Sequence, residues 1–387
     1  MPERFVAGGE ALAHDHEGRV VFVRGGLPGD DVSVEIVEGT GEWTRGLVTT
    51  VHAASADRVD PPCPRRLEGC GGCDWQHLAV PAQLAAKAEI VRDALRRTGR
   101  LEDPVLVVGR AVPPEGYRTT IRVIGDPGGR AGFRADRSHD IVEASGCLVA
   151  HPALRPVVEG LQLTPGLEVS LRVSDATGQM TARWDRRKGE VRGLPSSVYA
   201  GSKAFLTERV AGHEFRVSAG AFFQSGPAAA GLLVDAVGRA APELITASTV
   251  LDAYAGVGLF GVACAPPSAK VITVETSRAA VEDCRVNLHG RNARIERCEM
   301  SRWRPEAGLS IDVAVADPAR SGLGRPGTAA MLASAPTVLV VVSCDPVAMA
   351  RDTDLLARHG YRHDGTEILD LFPHTHHVEC VTRFVRA

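Results

Sequence analysis

From about residue 216 to the end, the chain alternates short runs of branched apolar residues with longer segments of mixed polarity. The runs stop at glycine, acidic or polar turns, as buried parallel strands do. They are Val250–Ala253, Lys270–Glu275, Ile311–Ala316 and Val338–Val342. This alternation predicts a doubly wound α/β sheet, in which ligands bind beyond the carboxyl ends of the strands.

Residues 1–58 show a different pattern of short strands separated by glycine turns. We expect strands at Val20–Val23, Val32–Ile36 and Trp43–Val48, and the middle one alternates with period two. Strands at this spacing predict a small β-barrel of the oligonucleotide-binding (OB) type, and a barrel that acts only as a spacer is the alternative. Ten acidic and five basic residues favour the spacer, because a phosphate-binding surface is usually basic.

The central segment, residues 59–215, begins with a loop rich in glycine and cysteine. A helix near 81–97 follows, and its apolar face can pack on the catalytic domain. Tyr117–Val123 and Gly132–Arg134 are expected as strands of an antiparallel sheet, which makes this an α+β domain. Residues 63–137 carry thirteen Lys/Arg against nine Asp/Glu and are the locally basic part of the chain.

Composition limits the class of protein. The 387 residues are 44% hydrophobic and 24% charged, with a net charge of -3, and no apolar run is long enough for a membrane span. The amino terminus lacks the features of a signal peptide, so we expect a cytoplasmic protein without membrane association. In that setting, nine cysteines indicate metal, cluster or catalytic roles rather than disulfides.

Two motifs in the last segment indicate chemistry. Cys344 follows the run Val338–Val342, at the end of a strand where ligands bind, and Glu379 offers a carboxylate base. After the first strand, Gly256 and Gly258 lack the third glycine of a dinucleotide fingerprint, which favours S-adenosylmethionine over NAD. Glu275 ends the next strand, where an acid can bind ribose hydroxyls.

Taken together, the chain resembles the RNA 5-methyluridine methyltransferases, in particular their iron–sulfur branch with an amino-terminal TRAM domain. The similarity rests on motifs spread over nearly the whole chain. They are Gly8–Ala13 with Leu27–Asp30, Ala221–Gln224, Leu251–Gly258, Asp317–Leu323, Val342–Pro346 and Phe372–Glu379. The last three, in this order, are highly specific. The resemblance implies a class I, Rossmann-like methyltransferase domain at 216–387.

The resemblance also implies roles for individual residues. Cys344 would add to C6 of uracil and Glu379 would remove the C5 proton, while Gln224 and Asp317 would orient the base. Phe223 and Phe372 are the expected apolar walls for a base taken out of its stack. The implied cofactor-binding residues are Gln224, Tyr254, Gly256, Gly258, Glu275 and Asp317.

Three residues and one spacing depart from the family pattern. Ala319 replaces a proline, Asp345 an asparagine and Ala255 a cysteine, and Cys63 and Cys70 are separated by six residues rather than five. Asp345 brings a negative charge next to the proposed nucleophile, which opposes thiolate formation unless the carboxylate is neutralised or points away.

Four cysteines of the central segment form a candidate metal site: Cys63, Cys70, Cys73 and Cys147. Four thiolates suit a [4Fe–4S] cluster and also tetrahedral zinc, and the resemblance favours the cluster, in a structural or RNA-positioning role. A zinc site at His374, His376 and His377 is a weaker alternative, because these residues belong to a family motif that binds no metal.

The function expected from these features is S-adenosylmethionine-dependent methylation of uridine C5 in RNA, with 23S rRNA as the leading target. The T-loop of tRNA is the alternative target, and no obligate protein partner is implied. A non-catalytic RNA-binding assembly factor and a methyltransferase acting on cytosine or DNA are the competing functions.

Overall fold

The computed structural model describes all 387 residues, and its first 53 residues form one five-stranded sheet. The strands are β1 Arg4–Phe5, β2 Ala11–His14, β3 Val20–Arg24, β4 Asp31–Gly39 and β5 Trp43–Ala53. Their order is β1-β2-β3-β5-β4, with β3 and β5 parallel, so β1 and β4 are the two edges. The alternating apolar residues of β3 form a small core with β2 and β5.

The next elements are a short helix α1 Pro64–Leu67, the long helix α2 Val80–Arg97 and strand β6 Leu106–Ala111. A proline in the first turn of α2 suits a helix start, where its missing N–H has no partner to lose. Ala88, Val91 and Leu95 are buried along one face of α2, as the helical period predicts.

A six-stranded sheet with a helix on one face follows. Its region contains β7 Thr120–Gly125, β8 Ala131–Arg134, β9 Ile141–Glu143, α3 Arg155–Gly160, β10 Gln162–Leu163, β11 Glu168–Val173, β12 Met180–Arg183, β13 Val191–Arg192 and β14 Val198–Ala200. The order is β14-β12-β11-β7-β8-β9, and β10 pairs separately with β13. The strand expected at Tyr117–Val123 begins later, at Thr120, where backbone pairing with β11 starts, and Tyr117 instead donates its buried hydroxyl to the carbonyl of Pro373.

The remaining elements build the largest sheet and its helices. They are β15 Phe205–Val210, β16 His213–Ser218, α4 Pro227–Ala240, β17 Thr249–Ala253, α5 Leu259–Ala263, β18 Lys270–Glu275, α6 Arg278–Asn287, β19 Ala293–Arg297, β20 Val313–Ala316, α7 Gly324–Ala333, β21 Val338–Ser343, α8 Pro346–Ala357, β22 Tyr361–Asp370 and β23 Glu379–Arg386. Three single-turn 3₁₀ helices lie at Pro152–Leu154, Pro242–Thr246 and Met300–Arg302.

The eight-stranded sheet has the order β19-β18-β17-β20-β21-β23-β22-β6. Its first five strands are parallel, and β23 runs antiparallel to both of its neighbours. Every residue of β20 and β21 is buried, because helices cover both faces of the sheet. Strand β6 comes from the segment assigned to the central domain, yet it pairs with β22, and α2 packs beside it against α8.

None of the helices combines the length and apolar character needed to cross a lipid bilayer.

Candidate active site

Three side chains meet at the carboxyl edge of the eight-stranded sheet. Asp317 directly follows β20 and Cys344 directly follows the neighbouring strand β21. Because β23 runs antiparallel to β21, with Cys380 opposite Ser343, the start of β23 places Glu379 at the same edge. The topology therefore brings a thiol and two carboxyl groups together from sequence positions 317, 344 and 379.

Cys344 is half-buried in an acidic environment. Burial and the charges of Glu379 and Asp317 raise the pKa of Cys344 to about 11, although the nearby Arg320 lowers it. The side chain is therefore a protonated thiol at neutral pH in the free protein. It becomes a strong nucleophile only when that proton is lost.

Both carboxyl groups have a raised pKa, and burial is the main cause for each. Burial and the charge of Asp317 raise the pKa of Glu379 well above its ordinary value. Burial raises the pKa of Asp317 to about 7, opposed by a hydrogen bond that Gln224 Nε2 donates to Asp317 Oδ2 at 3.1 Å. Acids with pKa values moved towards neutrality are suited to proton transfer.

The glycine turn after β17 lies next to these acids. Asp317 N donates to the carbonyl of Ala253 at 3.2 Å, which joins the two strand ends. Gly256 has a φ of +55° and its N–H donates to Glu275 Oε2 at 2.9 Å, so the turn is held by the end of β18. A Cβ at Gly256 would meet only open space, which leaves room for a ligand against the backbone.

Tyr254 and Gly258 complete this turn, both with positive φ. The Tyr254 side chain packs against Gly327 of α7. A Cβ added to Gly327 would lie 2.6 Å from the hydroxyl oxygen of Tyr254. Burial raises the pKa of Tyr254 to about 12. The phenol is therefore neutral at pH 7.

Asp345 is directed away from the nucleophile. It is the N-cap of α8, and its Oδ1 accepts a hydrogen bond from Ala348 N at 2.8 Å. A carboxylate in this position interacts favourably with the positive end of the helix. The replacement of asparagine by aspartate is thus accommodated by helix capping.

The four cysteines of the central segment line a single cavity of about 660 Å³. The cavity lies between the cysteine loop, residues 63–73, and the six-stranded sheet. Cys63 and Cys73 are buried, and Cys70 and Cys147 are half-buried. Burial raises the pKa of Cys73 to about 12, and the charges of Cys147 and Cys70 add to this while Arg118 opposes it. No three Cys, His, Asp or Glu side chains converge on one point as the ligands of a single metal ion would.

The three histidines near the end of the chain have separate partners. His376 Nδ1 lies 2.6 Å from Asp74 Oδ2, and His377 Nε2 lies 3.0 Å from Arg320 Nη2. His374 is buried. The structure does not bring them together as ligands.

Sequence comparison finds RNA methyltransferases that match nearly the whole chain. A protein of Streptomyces avermitilis, an RNA methyltransferase without an assigned target, is 34% identical over 97% of this chain and 94% of its own. The 23S rRNA (uracil(1939)-C(5))-methyltransferase RlmD of Halomonas elongata is also 34% identical, over 96% of this chain and 86% of its own. No protein-family model matches the chain.

A solved structure has the same fold along its whole length. It is the tRNA (uracil-54, C5)-methyltransferase of Pyrococcus abyssi in complex with S-adenosyl-L-homocysteine. The two chains are 25% identical, with a TM-score of 0.75 and 99% of each chain covered. The chain belongs to the RNA uracil-C5 methyltransferase family. Its eight-stranded sheet is accordingly an α/β methyltransferase fold.

Two side chains of this methyltransferase were not singled out by the sequence pattern. Arg320 is the cation that lowers the pKa of Cys344, and it lies within the motif that begins at Asp317. Phe222 is exposed, whereas Phe223, expected to form a wall for the base, is buried beside Phe215 with ring centroids 6.3 Å apart. Strand-like alternation indicates that Phe222 and Phe223 point to opposite sides but does not indicate which side is the core.

Proposed function

We propose that this methyltransferase transfers a methyl group from S-adenosyl-L-methionine to C5 of a uridine in RNA, through a covalent bond between Cys344 and C6 of the uracil. The observation that carries the proposal is the meeting of Cys344, Glu379 and Asp317 at one edge of the sheet, beside the open glycine turn.

The first step of the proposed reaction activates the base. The Cys344 thiol gives its proton to solvent, and the resulting thiolate bonds to C6, which moves the electrons of the C5–C6 double bond onto C5 and the C4 carbonyl. Asp317 lies near Cys344 and accepts a hydrogen bond from Gln224, and the polar atoms of this pair can orient the uracil edge and stabilise the enolate. Arg320 favours the thiolate through its positive charge.

The cofactor supplies an electrophilic methyl group, which forms the new bond to C5 and leaves S-adenosyl-L-homocysteine. We assign cofactor binding to Tyr254, Gly256, Gly258 and Glu275, with Gln224 and Asp317 at the boundary with the base. The open space beside Gly256 supports this assignment, because it lets a ligand approach the backbone.

The last step restores the enzyme. Glu379, as a carboxylate, takes the proton from C5, the electron pair of that C–H bond forms the C5–C6 double bond, and the C6–sulfur bond breaks to release the Cys344 thiolate. Its position beside Cys344 and its raised proton affinity support Glu379 as this base.

The proposed target is 23S rRNA. The curated relatives with an assigned target that match over nearly the whole chain, from Halomonas elongata and Shewanella piezotolerans, are 23S rRNA (uracil(1939)-C(5))-methyltransferases. The alternative is tRNA, which the full-length likeness to the Pyrococcus abyssi tRNA (uracil-54, C5)-methyltransferase favours.

We also infer that Cys63, Cys70, Cys73 and Cys147 hold a [4Fe–4S] cluster. All four thiols line one cavity, as ligands of one shared centre must, and tetrahedral zinc is the alternative occupant. The cationic core of a cluster would also offset the mutual charges that, after burial, raise the pKa of Cys70, Cys73 and Cys147. The five-stranded sheet at residues 4–53 would be the OB-like barrel of a TRAM domain.

A methylation assay tests the proposal. Protein purified without oxygen is incubated with tritiated S-adenosyl-L-methionine and with 23S rRNA or tRNA that lacks 5-methyluridine. The expected product of nucleoside digestion is labelled 5-methyluridine from 23S rRNA, and none with Cys344→Ala. Label in tRNA alone would select the alternative target, label in 5-methylcytidine would overturn the uracil assignment, and no label in either RNA would favour a non-catalytic binding factor.

A further inference from the structure

The turn that leads into Glu379 has an unusual backbone. Its residues 372–377 follow β22 and precede β23, and His374 has a φ of +68° although it is not glycine. Such a conformation is unfavourable for a residue with a Cβ and persists where neighbouring groups hold it. The neighbours that hold this turn come from residues about 290 positions earlier in the chain.

Gln83, on helix α2, binds the strained residue itself. Its Oε1 accepts from His374 N at 2.7 Å, and its Nε2 donates to the carbonyls of Leu78 and Trp75 at 2.8 and 3.3 Å. Trp75 N in turn donates to the His374 carbonyl at 2.9 Å. Gln83 is completely buried, and its amide uses three of its four hydrogen-bonding positions to join α2, the Cys73–Trp75 segment and this turn.

Lys87, one turn further along α2, holds the start of the same turn. Its Nζ lies 2.6 Å from Asp370 Oδ1 and 3.2 Å from the carbonyl of Phe372, and the lysine side chain is completely buried. Asp370 Oδ1 also accepts from Phe372 N at 3.0 Å. A buried ion pair adds little to stability compared with apolar packing, but it fixes the relative position of its two elements.

The end of the turn is held by Asp74, the residue that follows the cysteine loop. Asp74 accepts from His376 N at 3.2 Å and lies 2.6 Å from His376 Nδ1. Asp74 and Trp75 directly follow Cys73, a residue that lines the cysteine cavity. A change in the position of Cys73 therefore moves Asp74 and Trp75, the two residues that contact the turn.

We propose that Gln83, Lys87 and Asp74 are positioning residues for Glu379, and that the cysteine site acts on the reaction by holding the Cys73–Trp75 segment against the turn before Glu379. The inference rests on the proposed function, because it concerns the step in which Glu379 removes the C5 proton. Cys344 follows a different strand, β21, so formation of the adduct and methyl transfer depend less on these contacts.

Displacement of Glu379 has a specific chemical consequence. The C5 proton is removed more slowly, so the C6–sulfur bond persists and a methylated RNA–protein adduct accumulates. A misplacement of about 1 Å can slow a catalysed step roughly 100-fold. A variant that is merely less stable would lose adduct and product together.

The test uses the full-length protein, RNA substrate and tritiated S-adenosyl-L-methionine, with the adduct measured as tritium that stays with the protein in SDS. Gln83→Leu keeps a similar volume but removes the acceptor for His374 N. Leu95→Ala, on the same helix in the core beside α8, is the matched control for lost stability. Glu379→Gln is the positive control for adduct accumulation.

We expect the ratio of adduct to released 5-methyluridine to rise at least about tenfold in Gln83→Leu and to stay at the wild-type value in Leu95→Ala. Adduct in Glu379→Gln but a wild-type ratio in Gln83→Leu would overturn this inference alone. No adduct in any variant would overturn the covalent mechanism, and this inference with it. Should Gln83→Leu fail to fold, Asp74→Ala, at a partly exposed site, provides the same comparison.

A second readout does not depend on activity. Hydrogen exchange of the peptide containing residues 371–379 is measured in wild-type protein, Asp74→Ala and Cys73→Ser. Faster exchange there in both variants, with unchanged exchange in β18, is expected. Unchanged exchange of that peptide in Cys73→Ser would refute the link between the cysteine site and the turn.

Discussion

The protein has two cysteine-containing sites, and they differ in the charges around the thiols. Cys344 is next to two acids, Glu379 and Asp317, with a single arginine to oppose them. Cys70, Cys73 and Cys147 are next to one another, and the charges that oppose the rise in their pKa come from Arg66 and Arg118. The first arrangement keeps a lone thiol protonated at neutral pH, whereas the second places several thiols together, and the charges of neighbouring thiols add to the rise in their pKa.

The largest expected difference between the sites is in catalysis. Cys344→Ala should reduce methyl transfer by at least about 10³-fold, because no other residue can supply the attacking sulfur. Thermal unfolding should remain close to wild type, since a half-buried thiol contributes little packing. Cys298→Ala is the control and should keep full activity in the same tritium assay; a Cys344→Ala enzyme with more than a tenth of wild-type activity would contradict the assignment.

The next largest difference is in the pH dependence of thiol reactivity. Because the pKa of Cys344 is raised to about 11, its thiolate fraction should grow about tenfold per pH unit between pH 7 and 9. Alkylation of the Cys344 peptide by iodoacetamide, followed by mass spectrometry, should rise accordingly. Cys63, Cys70, Cys73 and Cys147 should remain unmodified until iron is chelated. Their rapid alkylation in protein purified without oxygen would contradict a bound cluster.

A smaller effect is expected from the one favourable charge at the catalytic site. Arg320→Gln removes the positive charge that lowers the pKa of Cys344, so the thiolate fraction at pH 8 should fall several-fold. Alkylation and methyl transfer should fall together, and raising the pH should recover part of the loss. Arg325→Gln, an exposed change at the start of α7, is the matched control; equal effects of the two substitutions would argue against a local role for Arg320.

The smallest effect is expected at the residue next to the nucleophile. Asp345→Asn should change the alkylation rate of Cys344 and the methylation rate by less than about twofold, because asparagine caps a helix about as well as aspartate. A large increase in both rates would show that the Asp345 charge acts on Cys344 and not on α8.

The apolar pattern predicted much of the catalytic sheet. Val338–Val342 became the core of β21, and the buried run explains why Cys344 lies at a strand end. The pattern could not place Glu379 beside Cys344, because that contact comes from the antiparallel register of β23. The pattern also could not predict that β6 joins this sheet, since its partner β22 lies about 260 residues later in the chain. Local periodicity carries no information about such distant pairings.

Mass spectrometry of the trapped complex tests most directly whether Cys344 forms a bond to uracil. Glu379→Gln protein is incubated with RNA and S-adenosyl-L-methionine and then digested with trypsin and ribonuclease. We predict a methylated uridine nucleotide attached to the peptide that contains Cys344. Attachment to another residue, or turnover to 5-methyluridine by this variant at the wild-type rate with no attachment, would contradict it.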